Sequence, residues 1–176
     1  MKRKFSRFAL LTALLLGCGM TYGQGSPGAK PKRARTPDDY KSRTLKEVAA
    51  EGSDTKSRGN KEETMDVNAD ILPSRVRAAY ARSARPIPRI KKEVLHQWAR
   101  LYAGSPEGYT EPYETEMLFI EDGREYWLAV RKQSLPRLEE LKQGEWVDLY
   151  LIRVGAAKTP GGREPVLLVE SFQKPE

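Results

Sequence analysis

The chain holds one cysteine, Cys18, and one histidine, His96, and this bounds its chemistry at once. A single thiol cannot close an intrachain disulfide, and one thiol with one imidazole falls short of a zinc ligand set. Ser105, Ser134 and Ser171 lie outside any strand–turn–helix elbow that would raise a nucleophilic hydroxyl. No glycine-rich turn opens a helix in the way that cradles phosphate. Paired carboxylates remain, and Glu114, Glu116, Glu121, Asp122, Glu125, Glu139, Glu140 and Asp148 are the stock from which a glycosidase pair could be drawn. They fall on turns and polar helix faces, where solvated charge is the default, so a small hydrolase ranks below a binding protein. Asp66, Asn68 and Asp70 copy the first three ligands of a calcium loop, but Ile71 and Arg77 stand where that loop needs Gly and a bidentate Glu. The expectation is a protein without catalytic groups, metal or cofactor. Aromatic residues are the better candidates for contact. Tyr109 and Tyr113, in the Gly- and Pro-containing "GSPEGYTEPYE", are expected as an exposed ligand-contact pair, whereas Trp127 and Trp146 are expected in the core.

The thiol has a more specific setting. Lys2, Arg3, Lys4 and Arg7 precede Phe8 to Leu16, an uncharged run of nine residues. A spanning helix needs about 20, and so short a run suits the hydrophobic region of a secretory signal. The following "LLGC", Leu15 to Cys18, resembles the lipobox of bacterial lipoprotein precursors. That resemblance implies acylation of Cys18 and removal of residues 1–17. The alternative is an ordinary signal of residues 1–23, with Thr21 and Gly23 as the small residues at the cut. The expectation is export, to the bacterial cell envelope or periplasm with a lipid anchor in the first case and as a soluble secreted protein in the second.

Charge divides the chain. Residues 1–92 carry 21 Lys and Arg against 9 Asp and Glu, net +12, and residues 93–176 carry 10 against 15, net −5. The overall basicity is therefore no sign of a nucleic-acid binder. Residues 18–70 read as a disordered tether, because Gly, Pro, Ser and charge leave too few apolar groups to offset chain entropy, and a brief helix around Leu45 to Ala50 would fray alone. Residues 71–92 form a basic Arg- and Pro-rich segment, in which Ser74 could cap a short helix or Arg75-Val76-Arg77 could start a strand. Its Arg75, Arg77, Arg82 and Arg85 are candidate anionic or docking contacts. They could meet lipid or cell-wall polymer at about 1 kcal/mol per charge, remain solvated, or fold back on the acidic domain. The last is preferred, with Val76, Tyr80 and Ile87 covering the outer face of a hairpin.

The folded domain is expected over residues 93–176. Val94, Leu95, Trp98, Leu101 and Tyr102 share one helical face, with His96 on the polar side. "TEMLFIEDGREYWLAVRK" then reads as a hairpin on an Asp122-Gly123 turn. Its two-residue loop sets Glu121 against Arg124, Phe119 against Tyr126, Met117 against Leu128 and Thr115 against Val130. Both faces are largely apolar, which predicts cover on both sides. A short helix capped by Ser134, with Leu135, Leu138 and Leu141 on one face, leads to a strand from Trp146 and a last strand "PVLLVESF". This order resembles the latter part of an OB-fold, with a helix between its third and fourth strands. The expected class is α+β or mainly β: a small OB-like barrel, or else an SH3-like barrel or α+β roll, with a preceding helix and a disordered arm. The runs "GREYWLAV", "LKQGEWVDLYLIRVGA" and "LLVESF" also resemble modules of uncharacterised bacterial envelope proteins, a likeness that implies no ligand and no site. The functional expectation is an exported, envelope-tethered, non-catalytic binding module for an envelope protein or cell-wall polymer. The alternative is a structural part of a larger envelope complex.

Overall fold

The computed structural model describes residues 35–51, 65–68, 71–103, 110–160 and 162–175. The signal region, Cys18 and Tyr109 lie outside these residues. The described chain is mainly β, with one seven-stranded sheet that closes partly into a ring. Its strands are β1 (Lys41–Ser42), β2 (Met65–Val67), β3 (Ser74–Pro86), β4 (Tyr113–Glu121), β5 (Arg124–Arg131), β6 (Trp146–Thr159) and β7 (Gly162–Gln173). The helices are α1 (Leu45–Ala50), α2 (Arg89–Trp98) and α3 (Leu135–Glu139). The sheet order is β1-β3-β4-β5-β7-β6-β2, and β3 also pairs with β6, so β3, β4, β5, β7 and β6 form a closed circuit. β5 and β7 are parallel; the other pairings of the circuit are antiparallel.

The hairpin has the expected register, from Glu121 opposite Arg124 to Thr115 opposite Val130. Asp122 and Gly123 have φ of 49° and 74°, the two positive values that a type I′ turn requires. Period-two alternation sends Met117, Phe119, Leu128 and Val130 into the ring, where they meet Val76, Tyr80, Val147, Leu149 and Leu167. A second apolar layer covers the outside. There α2 lays Val94, Leu95 and Trp98 on Ala129, Ile152, Val154 and Leu168. The helix therefore supplies the outer cover that the two-sided hairpin demanded.

The basic segment is not a docked cover, and the folded part does not begin at residue 93. Ser74 to Pro86 is β3 itself, with Val76, Ala78 and Tyr80 buried between exposed Arg75 and Arg77. The arginines mask an ordinary alternating strand. A bulge between Tyr80 and Ala84, where Arg82 adopts a φ of 58°, bends β3 away from β6 and onto β4 alone. The tether expected over 18–70 is likewise corrected for residues 35–51 and 65–68. Leu45 and Val48 of α1 are fully buried in the ring's core cluster, and β2 pairs with β6. Two apolar residues suffice because the helix is held at its start from elsewhere. Thr44 and Glu47 form a capping box, and the Glu121 carboxylate accepts from Leu45 N at 2.9 Å and Lys46 N at 3.2 Å. With the boundary at Arg35, the charge division changes too. Residues 35–176 hold 24 basic and 24 acidic side chains, so the net +7 belongs to residues 1–34.

Three local expectations also fail. A π turn, Ala99–Ala103, follows α2, and its wider winding carries Leu101 and Tyr102 off the apolar face into solvent, with Leu101 66% exposed. Ser134 makes no side-chain cap, because a 3-10 turn, Lys132–Ser134, runs directly into α3. Trp146 is 51% exposed rather than in the core, since β6 begins there opposite Ala79 on the outer face.

Candidate functional site

A charged network sits where the bulged half of β3 meets β4, β7 and the first turn of α2. Arg85 lies directly opposite Glu116 in the β3–β4 register. Its Nε donates to Glu116 Oε2 at 2.7 Å, and its Nη2 donates to Glu164 Oε2 at 3.1 Å. Lys91 Nζ reaches Glu116 Oε1 at 2.7 Å and Glu164 Oε2 at 2.8 Å. Thr159 donates its hydroxyl to Glu164 Oε1. Lys91 and Glu116 are almost wholly buried, at 1% and 2% exposure, whereas Arg85 and Glu164 reach solvent. Two buried charges on two half-exposed ones make a rigid support for whatever lies at the surface. There the Arg85 guanidinium stands 4.3 Å over the Trp127 ring.

Two concavities border this pair. One, of about 110 Å³, is lined by Lys91, Glu125, Tyr126, Trp127, Glu164 and Pro165. The other is shallower and wider, about 460 Å³, and is lined by Ala84, Arg85, Pro86, Lys92, Glu114 and Thr115. The side chains available to a ligand are an aromatic face, cationic donors and carboxylate acceptors, with the two signs nearly in balance. Such a surface can stack on and hydrogen-bond to a polar chain. It is unsuited to a polyanion, whose binding needs an excess of positive charge.

Burial would push the Glu164 carboxyl up, but hydrogen bonds from Lys91, Thr159 and Arg85 more than reverse this and hold it below the ordinary value. Asp148 is also held low, first by the hydrogen bonds from Arg77, against a smaller opposing effect of burial. Carboxyls depressed in the folded state add stability that is complete above their unfolded pKa, near 4, and is lost as pH falls through the lower folded values. Urea midpoints are therefore expected to be flat from about pH 7 to pH 5 and to fall below about pH 4. Asp148→Asn should reduce the slope of that fall. An unchanged midpoint at pH 3 would contradict the assignment.

The residues singled out in the sequence are only partly brought together. Tyr113 is 4% exposed beneath α2, and its hydroxyl accepts from Arg131 Nε at 2.9 Å, so it is no surface contact. Arg85 belongs to the network, whereas Arg77 grips Asp148 bidentately on the outer face of β3 and β6. Arg75 and Arg82 are exposed. The fold-back of positive onto negative charge is thus real at Arg77 and Arg85, but as cross-strand pairing. Lys91 escaped notice although its spacing to Val94, Leu95 and Trp98 places it on the buried helical face. Among the described residues, no group of His, Cys, Asp and Glu could hold a metal ion, and no helix is long and apolar enough to cross a membrane. Comparison with protein-family models, with curated proteins and with solved structures finds no match for this chain.

Proposed function

We propose that this protein is an exported, non-catalytic binding module on an OB-type barrel, tethered to the bacterial envelope through lipid on Cys18, with a neutral cell-wall polysaccharide as its ligand. Numbered along the chain, the ring strands run first-second-third-fifth-fourth-first, with the third and fifth parallel and α3 between the third and fourth. That arrangement supports the OB reading over an SH3-like barrel or an α+β roll. OB-folds bind chain-like ligands on the face of the second and third strands, between the loops joining strands one to two and four to five. The observation that carries the function is that Trp127 of the third strand lies there, with Arg85 of the first strand over its ring and Lys91, Glu116 and Glu164 bracing that arginine. The even balance of charge in residues 35–176 favours a neutral polymer over nucleic acid. The tether in this reading is short. Sixteen residues separate Cys18 from Arg35, which is at most about 55 Å of chain.

The test is co-sedimentation with purified peptidoglycan sacculi, backed by titration with soluble glycan fragments. Binding should change little between 50 and 200 mM salt, in contrast with the steep loss of a phosphate-directed binder. Trp127→Ala should weaken it about tenfold or more while the midpoint of unfolding stays close to that of the parent. Binding to single-stranded DNA but not to glycan, with a steep salt slope, would overturn the proposal. The alternative of an assembly part in an envelope complex draws on Leu101 and Tyr102, exposed together on the π turn. It would be favoured if Leu101→Ser abolished co-purification with other envelope proteins and Trp127→Ala did not. The lipid reading is checked separately, by fatty-acid labelling that Cys18→Ser abolishes.

A further inference from the structure

β6 changes its edge partner along its length. Trp146 to Leu151 pair with β3, and Gly155 to Ala157 pair with β2. Arg153 falls in the seam between the two partners. Its side chain is 4% exposed, and the nearest carboxylate oxygen paired with it among the described residues, Asp66 Oδ1, is 3.9 Å from its Nη2, beyond hydrogen-bond reach. Nε of Arg153 and Oδ1 of Asp66 are both buried without a hydrogen-bond partner among the described residues. The other oxygen of Asp66 is taken by Arg163. Glu51, the next acid to act on Arg153, is committed to Arg43. One carboxylate thus stands before two guanidiniums. Burial lowers the pKa of Arg153, with Asp66 and Glu51 opposing and Arg163 adding to the effect. The side chain of Asp66 is held by Arg163, and its backbone is held in place because β2 is pressed onto β6 at Gly155. A Cβ there would overlap the Asp66 carbonyl oxygen and come within 2.7 Å of Val94 Cγ1.

Arg77 provides the comparison within the same sheet. Its Nε and Nη2 hold the two oxygens of Asp148 at 2.7 and 3.1 Å, the fork geometry in which guanidinium meets an oxyanion. On Arg153 the same edge is buried and charged, and its Nε has no hydrogen-bond partner among the described residues. We infer that the Nε–Nη2 edge of Arg153, in the seam between β2 and β3, is a binding site for a small oxyanion group, a carboxylate or a phosphate. It is separate from the Trp127 face and does not depend on the glycan reading. Desolvated charge strengthens the contact on binding.

Thermal unfolding of the full chain tests this at pH 7, with sodium chloride, acetate and phosphate compared at matched ionic strength. Acetate or phosphate should raise Tm by about 3 °C or more over chloride, and the arm with the larger increment identifies the preferred group. Arg153→Met should abolish the increment. It should also leave Tm in chloride unchanged or higher, because it removes a buried charge with an incomplete set of partners. Arg163→Gln, which keeps Arg153 and releases Asp66 to pair with it, should cut the increment by half or more. A bridging water alone predicts no increment over chloride, and that result would overturn the site. So would equal increments in the parent and either variant.

Discussion

A chain that begins at Arg35 is expected to unfold as one cooperative unit, whereas one that begins at Ile71 should lose most of its stability. Residues 35–176 form one compact body. Leu45 and Val48 are fully buried against the same cluster as Val76, Leu149 and Phe172. Removing a buried leucine side chain costs about 2–5 kcal/mol, and the valine adds to it. Loss of α1 also strips the Glu121 carboxylate, 7% exposed, of the Leu45 and Lys46 amides. Hydrogen bonds to a charged group contribute about 1.5–3 kcal/mol. The sum rivals the whole stability of a domain, about 5–15 kcal/mol. Tyr40 adds an edge contact to Tyr150 and donates its hydroxyl to Glu170, and burial first, then this bond, raise its pKa. Urea denaturation followed by tryptophan fluorescence checks the comparison, with Leu45→Ala as the point variant. A 71–176 fragment with the midpoint of the longer chain would mean that α1 only rests on the ring.

Glu116→Leu should be nearly as damaging. Glu116 joins Lys91, buried to 1% exposure, to Arg85, and without it both cations converge on Glu164 alone. Breaking a buried pair from one side costs about 3–5 kcal/mol, because the remaining charge keeps its desolvation penalty and loses its compensation. Replacing both partners behaves differently. Lys91→Met combined with Glu116→Leu should recover most of the loss, since well-fitted apolar groups can stand in for a buried ion pair. The double-mutant cycle gives a coupling energy, and a value below about 0.5 kcal/mol would show that Lys91 and Glu116 do not depend on one another. The same pair of variants bears on binding. If the network braces the Trp127–Arg85 surface, the doubly apolar protein should be stable yet bind its ligand less well, because Arg85 has lost half of its hold.

The contrast between these two features and the hairpin explains what the sequence could disclose. Asp122-Gly123 joins strands two residues apart, so local geometry alone set the register from Tyr126 to Val130. The apolar load on both faces called for a second layer, and α2 provides it. The Thr44–Glu47 capping box marks α1 locally, but nothing local shows that it stays folded, since its segment offers the core two side chains and borrows its anchor from Glu121, 76 residues away. The network is equally non-local. Arg85 and Glu116 are 31 positions apart, and in the sequence one sits in a basic run and the other in an acidic one. Composition weighed those runs as opposed blocks, while the sheet interleaves them residue by residue. Tyr113 misled for the same reason. Its Gly- and Pro-containing neighbourhood suggested a surface loop, yet it is the first residue of β4 and lies beneath a helix.

The way the ring closes also sets an order in time. β7 is the last strand among the described residues, and it lies between β5 and β6. Until Gly162 to Gln173 are present, β5 and β6 are bare edges, and α2 has no Val166 or Leu168 beneath it. The contacts that complete the body span much of its length, such as Arg75 against Tyr150 and Val130 against Val169. Loop entropy must be met before any of them forms. A chain without residues 162–173 therefore stays open, and it offers β6, the longest strand among the described residues, to any neighbour with an edge to match.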